Sequence, residues 1–422
     1  MVLAQGKLYY SERTLLPWCN HPRQVGKLRS AMGRTKIFVN FTLLICLLTM
    51  SPSTTAQQWR TAYYFQPASS ALPVSDAPFS KYTHVTQANI LASYDAQSDA
   101  CGLNTMAYGI SDHAAEFVRT VQQAGAKALV TLLGDTTRAP MMKICTDNRH
   151  INQFVAALAT FINDNGYDGF DLDWEAGIVG NQWRNLVTTL RTALPGKLVT
   201  AAVTVTERFM ASAVQDSLDQ INIMNYDRDS GLYDGTPAAD TWYSSALYAG
   251  GDTSHPSAEM DVRYFTHAGV SGNKLGIGIP FYARIKQRCM AGYLNGSTCT
   301  QAVSAPLQRF ATGNASDNLT KSINYNDLLL SPFWSDGNKV WDAAHGAEYI
   351  QYTAGGVGQT AFVPYTGVEQ VQAAAYFVKN THLGGIMTYE LSGEFVRSAV
   401  GDARYPLSTV LYNAINTLPE SR

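Results

Sequence analysis

The chain has 422 residues, 46% of them hydrophobic and 15% charged, enough to bury a large core in anything from a single barrel to three domains. A formal net charge of −2 and an isoelectric point near 6.4, with no run of Lys and Arg interleaved with aromatics in the body of the chain, exclude nucleic acid as a partner.

Residues 1–56 read as a targeting segment. The apolar run "IFVNFTLLICLLTM", Ile37 to Met50, follows Arg34 and Lys36 and precedes the small residues Thr54 and Ala56, a signal-cleavage pattern that places the mature start near Gln57. The run is short for a membrane span and contains Asn40, so a signal anchor is the weaker alternative and no stable membrane partner is expected. Either Met1 or Met32 serves as a start on this reading. A secreted, extracellular protein is expected, and removal of the leader takes Cys19 and Cys46 with it. The four cysteines left, Cys101, Cys145, Cys289 and Cys299, imply two disulfides; the ten-residue spacing pairs Cys289 with Cys299 and leaves Cys101 for Cys145. Sequons at Asn295, Asn314 and Asn318 agree with export.

After Gln57, β-rich runs recur at 60–66, 82–91, 126–134, 168–174, 198–205, 221–227, 274–283 and 384–391, most followed by a helical pattern such as "SDHAAEFVRTVQQAG" with Ser111 or Asp112 as N-cap. Eight βα repeats predict an α/β fold, a closed TIM (β/α)8 barrel. Between Phe281 and Val371 lies far more chain than a loop and helix need, so a small α+β insertion is expected over 288–358, between strand seven and helix seven. The barrel then occupies 57–287 and 359–422.

The fourth run, "YDGFDLDWE" (167–175), carries four carboxylates in nine residues. Asp171, Asp173 and Glu175 alternate with Phe170, Leu172 and Trp174, a period of two that makes one face acidic and the other apolar. Helical patterns flank it (Ile151, Phe154, Val155, Leu158 and Ile162 before; Trp183, Leu186, Val187 and Leu190 after), so the strand belongs to a parallel sheet with both faces covered. A solvated acidic face is therefore the weaker reading. A calcium loop counted from Asp171 would need Gly at position 6 and Glu at position 12, where the chain has Ala176 and Gln182. Crowded carboxylates hold a proton near neutral pH, as a general acid requires. In a barrel the site lies at the carboxyl ends of the strands, where Glu175, Asp227 and Glu390 fall.

"DGFDLDWE" resembles the D-G-x-D-x-D-W-E motif of glycoside hydrolase family 18, the chitinases and their relatives, with every fixed position filled; "MNYD", "KLGIGIPFYAR" and "GGIMTYE" resemble the family's sixth, seventh and eighth strand motifs in order. The resemblance covers roughly Arg60 to Leu418. It implies a secreted chitinase acting on chitin or chito-oligosaccharides with retention, through an oxazolinium ion formed by the substrate's own acetamide. Glu175 is then the acid, Asp173 orients the acetamide, Asp171 shares a proton with Asp173, and Tyr226 donates its hydroxyl to the acetamide carbonyl. Asp227 and Met224 line the same subsite, with Tyr389 as its floor; Tyr63, Phe65, Tyr282 and Arg284 are candidate sugar contacts, each as readily explained by packing. Asp168 and Gly169 shape the start of the acidic strand and carry no chemistry. No cofactor or metal is implied, and a monomer is expected.

Three departures bear on substrate preference: Tyr389 stands where the family usually has Trp, "TLLGD" replaces S-x-G-G, and Asn89 follows "QA" where an aromatic is common. They keep open an endo-β-N-acetylglucosaminidase acting on N-glycans and, in another class, a chitin-binding lectin that does not cut. The intact acid and its two aspartates favour turnover.

Overall fold

The computed structural model describes residues 58–65, 72–230, 240–251, 253–288, 303–308, 318–353 and 360–417. The leader, Cys289, Cys299, Asn295 and Asn314 lie outside the described residues, and of Asn318 only the backbone is described.

Chain order gives β1 (Trp59–Phe65), β2 (His84–Asp95), β3 (Ala100–Asn104), β4 (Lys127–Leu133), β5 (Gly169–Asp173), β6 (Leu198–Val203), β7 (Gln220–Ile223), β8 (Leu275–Pro280), β9 (Tyr282–Arg288), β10 (Asn318–Asn324), β11 (Lys339–Asp342), β12 (Ala347–Thr353), β13 (Thr360–Tyr365) and β14 (Gly385–Tyr389). Parallel pairing runs β1-β14-β8-β7-β6-β5-β4-β2, and β2 returns to β1, so eight strands close into the expected barrel. Helices on its outside include α1 (Ile110–Gln123), α2 (Ala139–Cys145), α3 (Ile151–Asp164), α4 (Gly180–Ala193), α5 (Arg208–Val214) and α6 (Ala258–His267). Phe170 and Leu172, the outward residues of β5, are fully buried beneath this layer, which is why the apolar face of the acidic strand is as greasy as the sequence shows.

The first helix starts earlier than expected. Its N-cap is Gly109, in the left-handed region at φ 66°, not Ser111 or Asp112. The turn before it is already closed by Asn104, whose Oδ1 accepts from Met106 and Ala107 N–H, while the Ser111 hydroxyl donates to Met106 Sδ at 2.9 Å. A second surprise is β3, which folds back antiparallel on the overlong end of β2. Cys101 on β3 is bridged to Cys145 at the end of α2, with Cα atoms 5.5 Å apart. The bridge closes a 44-residue separation, for which chain entropy gives about 4 kcal/mol. Replacing both cysteines by Ser is expected to lower the unfolding free energy by about 3–4 kcal/mol, read as a fall in Tm; an unchanged Tm would mean that the hairpin holds without its tether.

The insertion is a five-stranded antiparallel sheet of order β10-β9-β13-β12-β11. It begins at Tyr282 and ends at Tyr365, outside the expected 288–358 on both sides, because β9 leaves the barrel one residue after β8 and β13 runs to within three residues of α8 (Val368–Asn380). A five-residue helix, α7 (Tyr325–Leu329), follows β10, and α9 (Pro406–Thr417) closes the described chain.

Candidate active site

Parallel register sets Asp171 of β5 between Thr131 of β4 and Thr200 of β6, all facing into the barrel. Both threonine hydroxyls donate to its carboxylate, at 3.2 and 2.5 Å, and the Tyr63 hydroxyl on β1 donates at 2.5 Å. Three charge-assisted hydrogen bonds offset the cost of a carboxyl that is 1% exposed. Burial raises its pKa and the three hydroxyls oppose the rise.

Asp173 lies one layer higher and is also buried. The chain then leaves the strand, and Glu175 is exposed. Backbone bonds fix that exit: Gly134 N–H donates to Asp173 O at 2.7 Å, and Glu175 and Ala176 N–H both donate to Gly134 O at 3.1 Å. Between them the buried Trp174 anchors the turn through an indole bond to Ala176 O at 2.8 Å. A Cβ on Gly134 would stand 2.8 Å from that indole ring, so glycine is required for this approach.

The two outer carboxyls form a unit. Burial, the Glu175 and Asp171 charges, and a hydrogen bond with Glu175 raise the Asp173 pKa well above the usual carboxylate range. Although Glu175 is exposed, partial desolvation of its carboxyl in the barrel mouth and the Asp135 and Asp227 charges raise its pKa, with the Asp173 hydrogen bond opposing and Glu207 adding a smaller push. Asp173 Oδ1 is buried with no hydrogen-bond partner among the described residues, which leaves its acceptor capacity unused within the protein. Three hydroxyls bond Asp171, while the Glu175 and Asp171 charges both press on the buried Asp173.

Around this pair the barrel mouth is lined by Tyr226, Tyr389, Met224 and Phe65, all half-buried, above a layer of Tyr63, Ala88, Ala202 and Met387. The Tyr226 ring stacks on Tyr389, centroids 6.0 Å apart at 25°, and its hydroxyl reaches Met387 Sδ at 3.7 Å. Gly278 makes the space, since a Cβ there would meet Tyr226 Cε1 at 2.8 Å and Ile223 O at 2.8 Å. Burial and then the Asp173 charge hold the Tyr226 hydroxyl well above its ordinary pKa, so it stays a donor.

Asp227 adopts φ 55°, rare for a residue with a side chain. Its carboxylate, 49% exposed, pairs with Arg284 Nε at 3.7 Å and takes a hydrogen bond from Tyr282. Arg284 is held in turn by Asp229 at 3.5 Å and by Ser322 at 2.7 Å, which joins the insertion sheet to the site.

Other expected positions separate from the chemistry. Tyr63 is 1% exposed and holds Asp171, so it is not a groove contact. Phe65 packs on Tyr108, centroids 5.5 Å apart, at the rim. Glu390, at the end of the last strand, turns its carboxylate onto Ser392 N–H at 3.0 Å. Asp168 lies at the opposite end of β5, where Ala128 N–H, Gln122 and Lys127 bond it. Burial would raise its pKa, but these bonds outweigh it and hold it below the ordinary value. A Cβ on Gly169 would come within 2.6 Å of Leu198 O, so glycine lets β5 and β6 pair.

The sequence reading missed Thr131, Thr200, Asp135 and Glu207. The threonines were visible as lone hydroxyls inside "KALVTLL" and "LVTAAV"; a polar residue on the inward face of an apolar strand asks for a partner. Asp135 and Glu207 carried no local signal. Asp135 is clamped by Arg138 at 2.8 Å, and the buried Glu207 closes a capping box with Thr204.

A family model for glycosyl hydrolases family 18 matches residues 60–394. Mouse Chitotriosidase-1 is 27% identical over 295 residues, covering 64% of this chain and 58% of that protein. Chitinase A1 of Niallia circulans is 29% identical over 270 residues, covering 57% of this chain and 37% of that one. The aligned region thus spans only about a third to three fifths of these two relatives. Among solved structures, a class V chitinase from Nicotiana tobaccum superposes with TM-score 0.66 at 20% identity, over 86% of this chain and 99% of that one. A GH18 chitinase from Cycas revoluta in complex with (GlcNAc)3 gives 0.63 at 19% identity, over 84% and 99%. At these identities the superpositions speak for the barrel fold.

Proposed function

The chain belongs to glycosyl hydrolases family 18, and from that premise we propose that it hydrolyses β-1,4 linkages between N-acetylglucosamine units of chitin with retention of configuration. One observation carries the reading: an exposed Glu175 follows a buried Asp173, whose pKa burial and the Glu175 charge raise, above an Asp171 fixed by three hydroxyls. Such a unit delivers a proton at the surface and keeps a compensating charge beneath it.

Glu175 gives its proton to the glycosidic oxygen as the bond from C1 to that oxygen breaks. The acetamide carbonyl oxygen of the same sugar forms the new bond to C1, yielding an oxazolinium ion. Asp173, released from Glu175, takes the acetamide N–H and faces the positive charge. Tyr226, kept protonated by its surroundings, donates to the acetamide oxygen and holds the attack geometry. Water then adds to C1 from the face the leaving sugar vacated as the bond from C1 to the acetamide oxygen breaks, which restores the acetamide, and the water loses its proton to Glu175. Tyr389, stacked on Tyr226, is the floor against which the sugar ring rests.

Hydrolysis of chitotetraose followed by rapid chromatography of the anomers tests this. Newly formed reducing ends are expected as the β-anomer. An α-anomer at early times would replace the acetamide by a water acting directly. The smaller tyrosine floor favours one second reading, cleavage within the chitobiose core of N-glycans; a high-mannose glycoprotein cut while chitotetraose is left whole would select it.

A further inference from the structure

We propose that the insertion sheet carries a second saccharide site, sharing no residue with the catalytic groove, that takes chains of N-acetylglucosamine; the ligand class rests on the functional reading above. Antiparallel register places Trp341 of β11 opposite Glu348 of β12, and Glu348 opposite Tyr365 of β13, so the three side chains form one row across the sheet. Trp334 packs edge-on against Tyr365 with centroids 5.6 Å apart and closes one side. With Lys339 and Glu369 at the rim, these residues bound a cavity of about 410 Å³, the size of a small-molecule site.

Trp341 differs from the other tryptophans around it. Trp174, Trp183 and Trp242 are fully buried, and Trp334 packs on the core. Trp341 is 37% exposed, and it stands on the edge strand of its sheet. Its indole borders the cavity together with Trp334, Tyr365 and Glu348, so an aromatic face and a carboxylate meet in one recess. Beside it, Glu348 is 7% exposed. Its oxygens accept from Tyr365 at 3.1 Å, from Gln370 N–H at 2.9 Å and from the Gly367 backbone, which leaves about one acceptor position on a carboxylate with about four lone-pair sites. Gly367 makes that seat possible, since a Cβ there would lie 2.6 Å from both Glu348 oxygens.

The chemistry selects an uncharged, amphipathic ring. An indole face meets the C–H face of a sugar, and carboxylates accept from hydroxyl and amide N–H groups. Anions are disfavoured: Lys339 is already paired with Asp336 at 2.7 Å and lies over the Trp334 ring at 4.7 Å, while Glu348 and Glu369 face the same cavity.

Calorimetric titration of chitohexaose into the full chain carrying Glu175→Gln, which keeps the ligand uncut, is expected to show two classes of site. Adding Trp341→Ala should weaken one of them about tenfold or more, with unchanged Tm; Trp341→Phe, which keeps a ring, should restore much of it. Two sites untouched by Trp341→Ala, or a single site untouched by it, overturns the proposal. If the only site found is the one lost with Trp341, the groove reading fails and this inference stands. No binding at all overturns both.

Discussion

Glu175→Gln lowers kcat/KM on chitotetraose by about 10³-fold, within the range expected when a positioned general acid is lost. The amide matches the carboxyl in size and still accepts hydrogen bonds, so binding should stay within about threefold of the unchanged chain while the chemical step fails. The effect is large because the other carboxyls described around the site are engaged: Asp173 is buried below the mouth, Asp171 is held by three hydroxyls, Asp227 and Asp135 pair with Arg284 and Arg138, and Glu207 closes a capping box. The pH profile gives a second readout. Partial desolvation and the neighbouring Asp135 and Asp227 charges raise the Glu175 pKa above its ordinary 4.5. The protonated acid therefore persists to higher pH than in a free glutamate, and the alkaline limb of kcat/KM lies above pH 4.5 and disappears in the variant. Initial rates across pH, with calorimetry for binding, check both. A loss of less than about tenfold would hand the proton to another group, with Asp227 the first to replace.

The second large effect belongs to Asp173→Asn, expected to reduce kcat by about 10²-fold with little change in KM. The substituted amide keeps the shape of the carboxyl and can bond Glu175, but it cannot face the developing oxazolinium with a negative charge. That interaction exists only in the transition state, so the loss appears in kcat rather than in binding. The acid's titration changes as well: the Asp173 hydrogen bond opposes the rise of the Glu175 pKa, and an amide at this position alters that bond. Steady-state kinetics on chitotetraose separates the two parameters. A raised KM with unchanged kcat would make Asp173 a ground-state contact and remove the substrate-assisted step.

Several decisive residues could be read before any coordinate. Period-two alternation in "YDGFDLDWE" identified a strand with one acidic face, and flanking helical patterns identified a parallel sheet. Eight such runs then required a closed barrel. Gly169 and Asp168 were legible as structure because they precede the acidic face, and the structure puts them at the far end of β5, away from the chemistry.

Which atoms meet is a different matter. Periodicity tells which face a side chain takes, whereas the partner it finds depends on the stagger at which eight strands close. Tyr63 reaches Asp171 across 108 residues, and Tyr226 meets Met387 across 161. Nothing local in either stretch announces the other. The same closure gave Asp171 three hydroxyls and left Asp173 buried under the charges of its two neighbours, a difference that adjacency in sequence, with Asp171 and Glu175 equally two residues from Asp173, leaves undecided. The sequence alone determined the carboxylates, the barrel and the place of the site at the strand ends; tertiary structure decided which hydroxyls bond them and how far each is buried, because those partners come from distant strands.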